Sequence, residues 1–197
     1  LNPEKFNFPI GTIFIKTFYY PEDFRKPEEN WQILETRLLI NTDEGWFGYP
    51  YIWNEAQTDA FLDIAGDRIN ISWIDLAGEH QNINYLVPNF NMCKGCHVND
   101  NQFLPIGPKP RLLNYDFQFE EIKPYQQLEK IVQMKLVENL PAIESIPITA
   151  NWEDPHFTLE DRARAYLDVN CGHCHHAKGP AMTSGLFLDY TEKDLRK

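Results

Sequence analysis

The chain has 197 residues, room for one large domain or two small ones. Its formal charge of −11, with basic residues that form no cluster, excludes a nucleic-acid surface, and no apolar run is long enough to cross a bilayer. Aromatic residues make up 14%, beside 14 prolines and 10 glycines, which suits loop-rich β structure.

In chain order, residues 10–18 are rich in β-branched and aromatic side chains and predict a strand, followed by a charged, proline-bearing loop over 21–29. Residues 31–41 and 45–53 predict a hairpin turning at Thr42-Asp43-Glu44-Gly45. Residues 54–64 predict a short helix capped by Asn54. A second hairpin pairs 68–76 with 82–87 around Ala77-Gly78-Glu79. The character changes near Pro88, so residues 1–88 are expected to form an antiparallel β-rich domain and 89–197 a mainly helical, loop-rich region. Within the latter, residues 105–110 carry three prolines, and 124–140 have helical spacing with Leu128, Ile131, Val132, Leu136 and Leu140 on one side. A loop over 141–155 follows. Thr158, with Asp161 three residues on, caps a helix expected over 159–169. The fold class is α+β.

Two segments read Cys-x-x-Cys-His: Cys93-Lys94-Gly95-Cys96-His97 and Cys171-Gly172-His173-Cys174-His175. They use all four cysteines. This is the attachment signature of c-type haem, in which each thiol adds to a vinyl group and the histidine coordinates iron. A redox dithiol needs no histidine after the second cysteine. A zinc ribbon keeps its pairs roughly 15–20 residues apart, whereas 74 residues separate Cys96 from Cys171. Two structural disulfides would each close a small, strained loop. The pattern therefore predicts two covalent haems, on Cys93, Cys96 and His97 and on Cys171, Cys174 and His175, with His97 and His175 as iron ligands.

A proximal histidine needs an acceptor for its other ring N–H. Pro108, in Gly107-Pro108, is the candidate for His97; Gly179-Pro180 follows His175 much sooner. Candidate distal ligands are Met134, His156, His80, Met182 and His176, while Met92 and His173 are too close to their own motifs. Lys109, Arg111, Arg162 and Arg164 are candidate partners for haem propionates, with surface solvation the alternative. Only 22 residues follow His175, so the second haem domain is expected to be incomplete at its C-terminal end, its sixth ligand lying beyond Lys197, on another chain, or absent.

Several stretches, among them Gly11-Thr12-Ile13-Phe14-Ile15-Lys16, Tyr51-Ile52-Trp53-Asn54, Lys94-Gly95-Cys96-His97, Ile106-Gly107-Pro108-Lys109 and Arg162-Ala163-Arg164-Ala165-Tyr166-Leu167-Asp168-Val169-Asn170-Cys171, resemble a largely uncharacterised family of exported bacterial dihaem proteins, often lipoproteins, with a β-rich region ahead of two Cys-x-x-Cys-His motifs. The resemblance implies two covalent haems and export. Family members continue past the Ser184-Gly185-Leu186 stretch to a Met-Pro loop that this sequence does not contain.

The expected function is electron transfer by a dihaem c-type cytochrome, periplasmic or on the outer surface, lipid-anchored through a segment preceding Leu1, and serving a redox partner protein or a larger electron-transfer complex. The motif spacing also implies irons close enough for rapid exchange. The alternatives are a dihaem peroxidase-like enzyme with one open iron, and a haem-bearing module whose β domain recognises a glycan or protein.

Overall fold

The structure is a computed structural model that describes residues 5–117 and 124–192. The part of the 89–123 loop over 118–123 lies outside the described residues. The chain divides into two compact units, one spanning Phe8–Leu104 and the other running from Pro105 onward together with the described residues before Phe8. The division falls after Leu104, not at residue 88. The first Cys-x-x-Cys-His motif therefore belongs to the same unit as the strands, and the second to the other unit.

The first unit is built on an antiparallel sheet ordered β1 (Ile13–Pro21), β2 (Trp31–Thr42), β3 (Gly45–Trp53), β4 (Ala60–Leu62). The hairpin expected at Thr42–Gly45 is present, with Gly45 at φ +110°. Directly paired residues share a face, which places Phe14, Leu39 and Gly48 on one side with Trp46, Arg37 and Glu35. On that face the Phe14 ring stacks on Trp46 with centroids 5.7 Å apart, and Phe8 meets Phe14 edge-on at 4.8 Å. A bulge between Phe18 and Tyr19 leaves Leu34 without a partner across β1, and both Leu34 and Glu35 are buried there.

The second predicted hairpin is β5 (Asp67–Ile74) with β6 (His80–Val87), held at its turn by Asp75, whose Oδ1 accepts from the Ala77 and Glu79 amides at 2.9 Å each. Its apolar residues Ile71 and Val87 are buried. The chain then enters helix α1 (Phe90–His97) and a two-residue hairpin, β7 (Val98–Asn99) and β8 (Gln102–Phe103).

The helix expected over 54–64 is absent. Asn54 instead accepts from the Thr58 amide at 3.0 Å, an Asx turn, and the chain continues as β4 on the edge of β3. Gln57, at φ +55°, inserts its amide against Ile33, accepting from the Ile33 N–H at 2.7 Å and donating to its carbonyl at 3.0 Å.

The second unit is loop-rich, and its α-helices are short. They are α2 (Pro110–Leu113), α3 (Gln127–Gln133) and α4 (Leu159–Leu167), with a two-residue pairing of β9 (Asp116–Phe117) and β10 (Tyr125–Gln126). The helix expected over 124–140 is reduced to α3. Leu128 is its buried anchor, whereas Leu136 is exposed, because Lys135 and Asn139 both take φ +56° and end helical continuation. Thr158 caps α4 as expected, accepting from the Asp161 amide at 3.1 Å. Beyond Leu167 the helix widens into a π turn over Asp168–Gly172, which carries the chain into the second motif.

Gly66 fixes how the first unit delivers α1. It sits at φ +77°, and a Cβ there would lie 2.6 Å from the Val87 carbonyl oxygen and 2.9 Å from the Asn89 nitrogen, the backbone just ahead of the helix. Gly66→Ala is therefore expected to lose about 1–3 kcal/mol of stability from the left-handed conformation alone, read as a lower denaturation midpoint with unchanged m-value. Gly11→Ala, at φ +89° but with open space around its Cβ, is expected to cost less.

Candidate functional site

Helix α1 carries the whole first motif. Asn89 caps it, its side chain accepting from the Met92 amide at 2.9 Å, and the Cys93 amide donates to the Asn89 carbonyl at 3.1 Å. Helical pitch then puts Cys93 and Cys96 one turn apart on one face, with His97 at the helix end. Phe90 anchors this helix. Its ring and that of Phe103 each lie 3.8 Å from where a Gly48 Cβ would be, so a larger side chain on β3 would displace both. Lys94 Nζ sits 4.7 Å from the Phe90 ring centroid.

His97 is held at two points by the strand that returns over β7 and β8. Its Nδ1 lies 3.0 Å from the Leu104 carbonyl oxygen, and its own carbonyl accepts from the Leu104 amide at 2.7 Å. The Phe103 ring packs against the imidazole with centroids 5.3 Å apart. A carbonyl only accepts, so Nδ1 carries the proton and Nε2 of the neutral ring presents a lone pair.

The second motif repeats this arrangement on different elements. From the π turn, the Cys174 and His175 amides donate to the Cys171 carbonyl at 3.0 and 2.9 Å. His175 Nδ1 lies 3.2 Å from the Leu186 carbonyl oxygen, and the His175 carbonyl accepts from the Leu188 amide at 2.8 Å. Close backbone approach explains the two glycines. A Cβ on Gly172 would stand 3.0 Å from the Asp189 Cα, and one on Gly179 would collide with the Cys174 carbonyl. The hydrogen-bond acceptors are thus Leu104 and Leu186. Pro108, expected for His97, is not the acceptor. Gly107-Pro108 instead forms a cis peptide.

No protein-family model, curated protein or solved structure matches the chain. What the sites can hold therefore rests on their own chemistry. No disulfide links Cys93, Cys96, Cys171 or Cys174. The donor set of each site is two thiols one turn apart and an imidazole nitrogen steered by a carbonyl behind it, which fits haem c. Exposed apolar side chains, namely Val169, Met182 and Leu186, lie in the second motif's own stretch of chain.

The candidate distal residues are scattered. Among those in the first unit, His80 is exposed at the start of β6. In the second unit, Met134 is exposed at the end of α3 and Met182 in a 3-10 turn. His156 is almost wholly exposed and pairs with Asp154 at 2.7 Å. His176 is half-buried; burial pushes its pKa down against the opposing pull of Asp189. Among the propionate candidates, Arg111 is not a surface cation. It is 1% exposed, ion-pairs with Asp168 at 2.7 Å, donates to Thr149 Oγ1 at 2.9 Å and lies over the Tyr190 ring at 4.5 Å. Arg162 donates through Nε to the Trp152 carbonyl, and Arg164 to that of Glu192.

Sequence reasoning missed two clusters. Asp168 begins the π turn, and its Oδ1 accepts from the Tyr190 amide at 2.9 Å, so the Arg111–Asp168 pair ties the lead-in of the second motif to the segment that returns to His175. In the first unit, fully buried Glu35 accepts from Arg37 Nε at 2.8 Å and from the Tyr85 hydroxyl at 2.7 Å. Cys93 lies within their electrostatic reach. Burial pushes its thiol pKa up, with Arg37 opposing and Glu35 reinforcing that shift. The available sequence signal was a pair of opposite charges, Glu35 and Arg37, two positions apart on one face of a strand.

Arg111→Met strands the Asp168 carboxylate in the interior, and the expected loss is about 3–5 kcal/mol. The double variant Arg111→Met with Asp168→Leu is expected to recover most of that loss in denaturant titrations, since no buried charge then remains uncompensated.

Proposed function

We propose that this chain is an electron-transfer protein that carries two covalently attached haem c groups, one on Cys93, Cys96 and His97 and one on Cys171, Cys174 and His175. The observation that supports it most is the repeated two-point hold on the motif histidines. In each, a carbonyl takes the Nδ1 proton and a backbone amide grips the histidine carbonyl. Two unrelated local frames, a capped helix on a sheet and a π turn in a loop-rich unit, present the same donor set.

Bound haem c supplies one-electron chemistry at iron. The chain's residues do the rest. The thiols at each helix turn hold the group covalently, and the carbonyls of Leu104 and Leu186 keep each imidazole in one tautomer and raise its basicity. Phe103 walls one side of the His97 ring. Because haem c is attached outside the cytoplasmic membrane, the reading includes export, with a redox protein as partner. The strongly acidic surface favours a basic one.

Expressed with the machinery for c-type haem attachment, the purified chain is expected to show the intact mass of the polypeptide plus two haems. Replacing Cys93 and Cys96 by Ala, or Cys171 and Cys174 by Ala, is expected to remove one haem each. An unmodified mass with bound zinc would refute the proposal. Absorption spectra of the reduced protein before and after carbon monoxide complete the test. An unchanged spectrum fits a carrier with both irons closed, and a shifted one marks an open iron and favours peroxidase chemistry.

A further inference from the structure

Glu35 is a carboxylate with no exposed surface on a strand that otherwise buries apolar groups. Its two oxygens are occupied by groups from different elements. Arg37, two residues along β2, engages both, and the Tyr85 hydroxyl from β6 donates to Oε1 at 2.7 Å. The guanidinium of Arg37 lies 4.2 Å from the Phe18 ring centroid, and Lys16 Nζ approaches that ring at 4.8 Å, so the charged groups of β1 and β2 on this face are Lys16, Arg37 and Glu35. Arg37 and Glu35 lie on the sheet face that receives Phe90 of α1 at Gly48, and Cys93 follows Phe90 by one helical turn, so the cluster and the attachment helix share that face. Burying such an ionic cluster carries a desolvation cost.

We infer that the buried Glu35–Arg37–Tyr85 cluster sets the reduction potential of the group attached at Cys93. Glu35 and Tyr85 act as positioning residues for charge rather than as ligands. This rests on the dihaem reading above. Reduction adds an electron to the attached group, and a fixed carboxylate within reach of its attachment point opposes that addition, the more so in a low-dielectric interior. Arg37 offsets the carboxylate, and the Tyr85 hydroxyl withdraws charge from it. The two side chains therefore act with opposite sign. Glu35→Gln removes the negative charge and leaves Arg37 uncompensated, which favours reduction. Tyr85→Phe removes a donor and leaves more charge on Glu35, which disfavours it.

The test is a spectroelectrochemical titration of the full chain carrying Cys171→Ala and Cys174→Ala, so that only the first group titrates. Glu35→Gln is expected to raise its potential by about tenfold in the reduction equilibrium, about 59 mV for one electron. Tyr85→Phe is expected to lower it by less. In the complementary chain with Cys93→Ala and Cys96→Ala, neither substitution should move the remaining potential. Shifts of the same sign, shifts shared by the second group, or no shift in a protein that holds its haem would overturn the inference. Absence of covalent haem from the parent chain would overturn the dihaem reading instead. If Glu35→Gln does not fold, the sign of the Tyr85→Phe shift alone decides.

Discussion

Each site depends on a peptide carbonyl behind a histidine. An imidazole at the end of a helix turn can rotate about two bonds and exist as two tautomers, and a free ring would meet a metal in many poses. At His97 and His175 the chain removes that freedom with its own backbone, by turning back soon after the motif so that one residue accepts the Nδ1 proton and a nearby amide grips the histidine carbonyl. The rest of each unit can be understood as what brings that return strand to the right place. The β7–β8 hairpin does it in the first unit. Close glycine contacts at Gly172 and Gly179 do it in the second.

The two units solve the supporting problem differently. In the first, a sheet face carrying Trp46, Phe14 and the side-chain-free Gly48 receives Phe90 and Phe103. Aromatic packing sets the helix position, and the Asn89 side chain caps its start. In the second, there is little sheet or helix to lean on, and a buried ion pair takes that role. Arg111 and Asp168 join α2 to the π turn, with Thr149 and Tyr190 from two further loops satisfying or covering them. Ionic hubs give direction where apolar packing is sparse, and their cost is desolvation. A loop-rich unit built this way tolerates surface change well and hub change badly.

Much of the frame was legible from the sequence. Both hairpins and the Thr158 cap follow from local chemistry, in which period-two patterns, turn residues and a hydroxyl three residues before an acid act over a few positions. The helix expected at 54–64 failed because Asn54 offers the same side-chain acceptor to an Asx turn as to a helix cap, and the long-range pairing of Gln57 with Ile33 chose between them. The helix expected at 124–140 was cut short by left-handed residues at Lys135 and Asn139, which leave no mark on hydrophobic periodicity. The six cysteine and histidine positions of the two Cys-x-x-Cys-His motifs could be read directly. Their hydrogen-bond acceptors could not, because Leu104 and Leu186 act through backbone atoms that every residue possesses. Nor could the Glu35–Tyr85 contact, whose partners lie 50 positions apart.

Helix α1 is eight residues long and contains no buried residue. A helix of two turns cannot sustain itself in water, because the entropy of nucleation outweighs the few bonds it makes. On the proposed reading, its two thiols would be bridged across one turn by a rigid planar ring, and such a bridge is a staple. It would restrict the unfolded segment to conformations already close to helical and so pass part of the cofactor's covalent free energy into secondary structure. Maturation of the first site would then be the final step of folding for that stretch of chain, and the cofactor a structural member of the helix as much as its cargo.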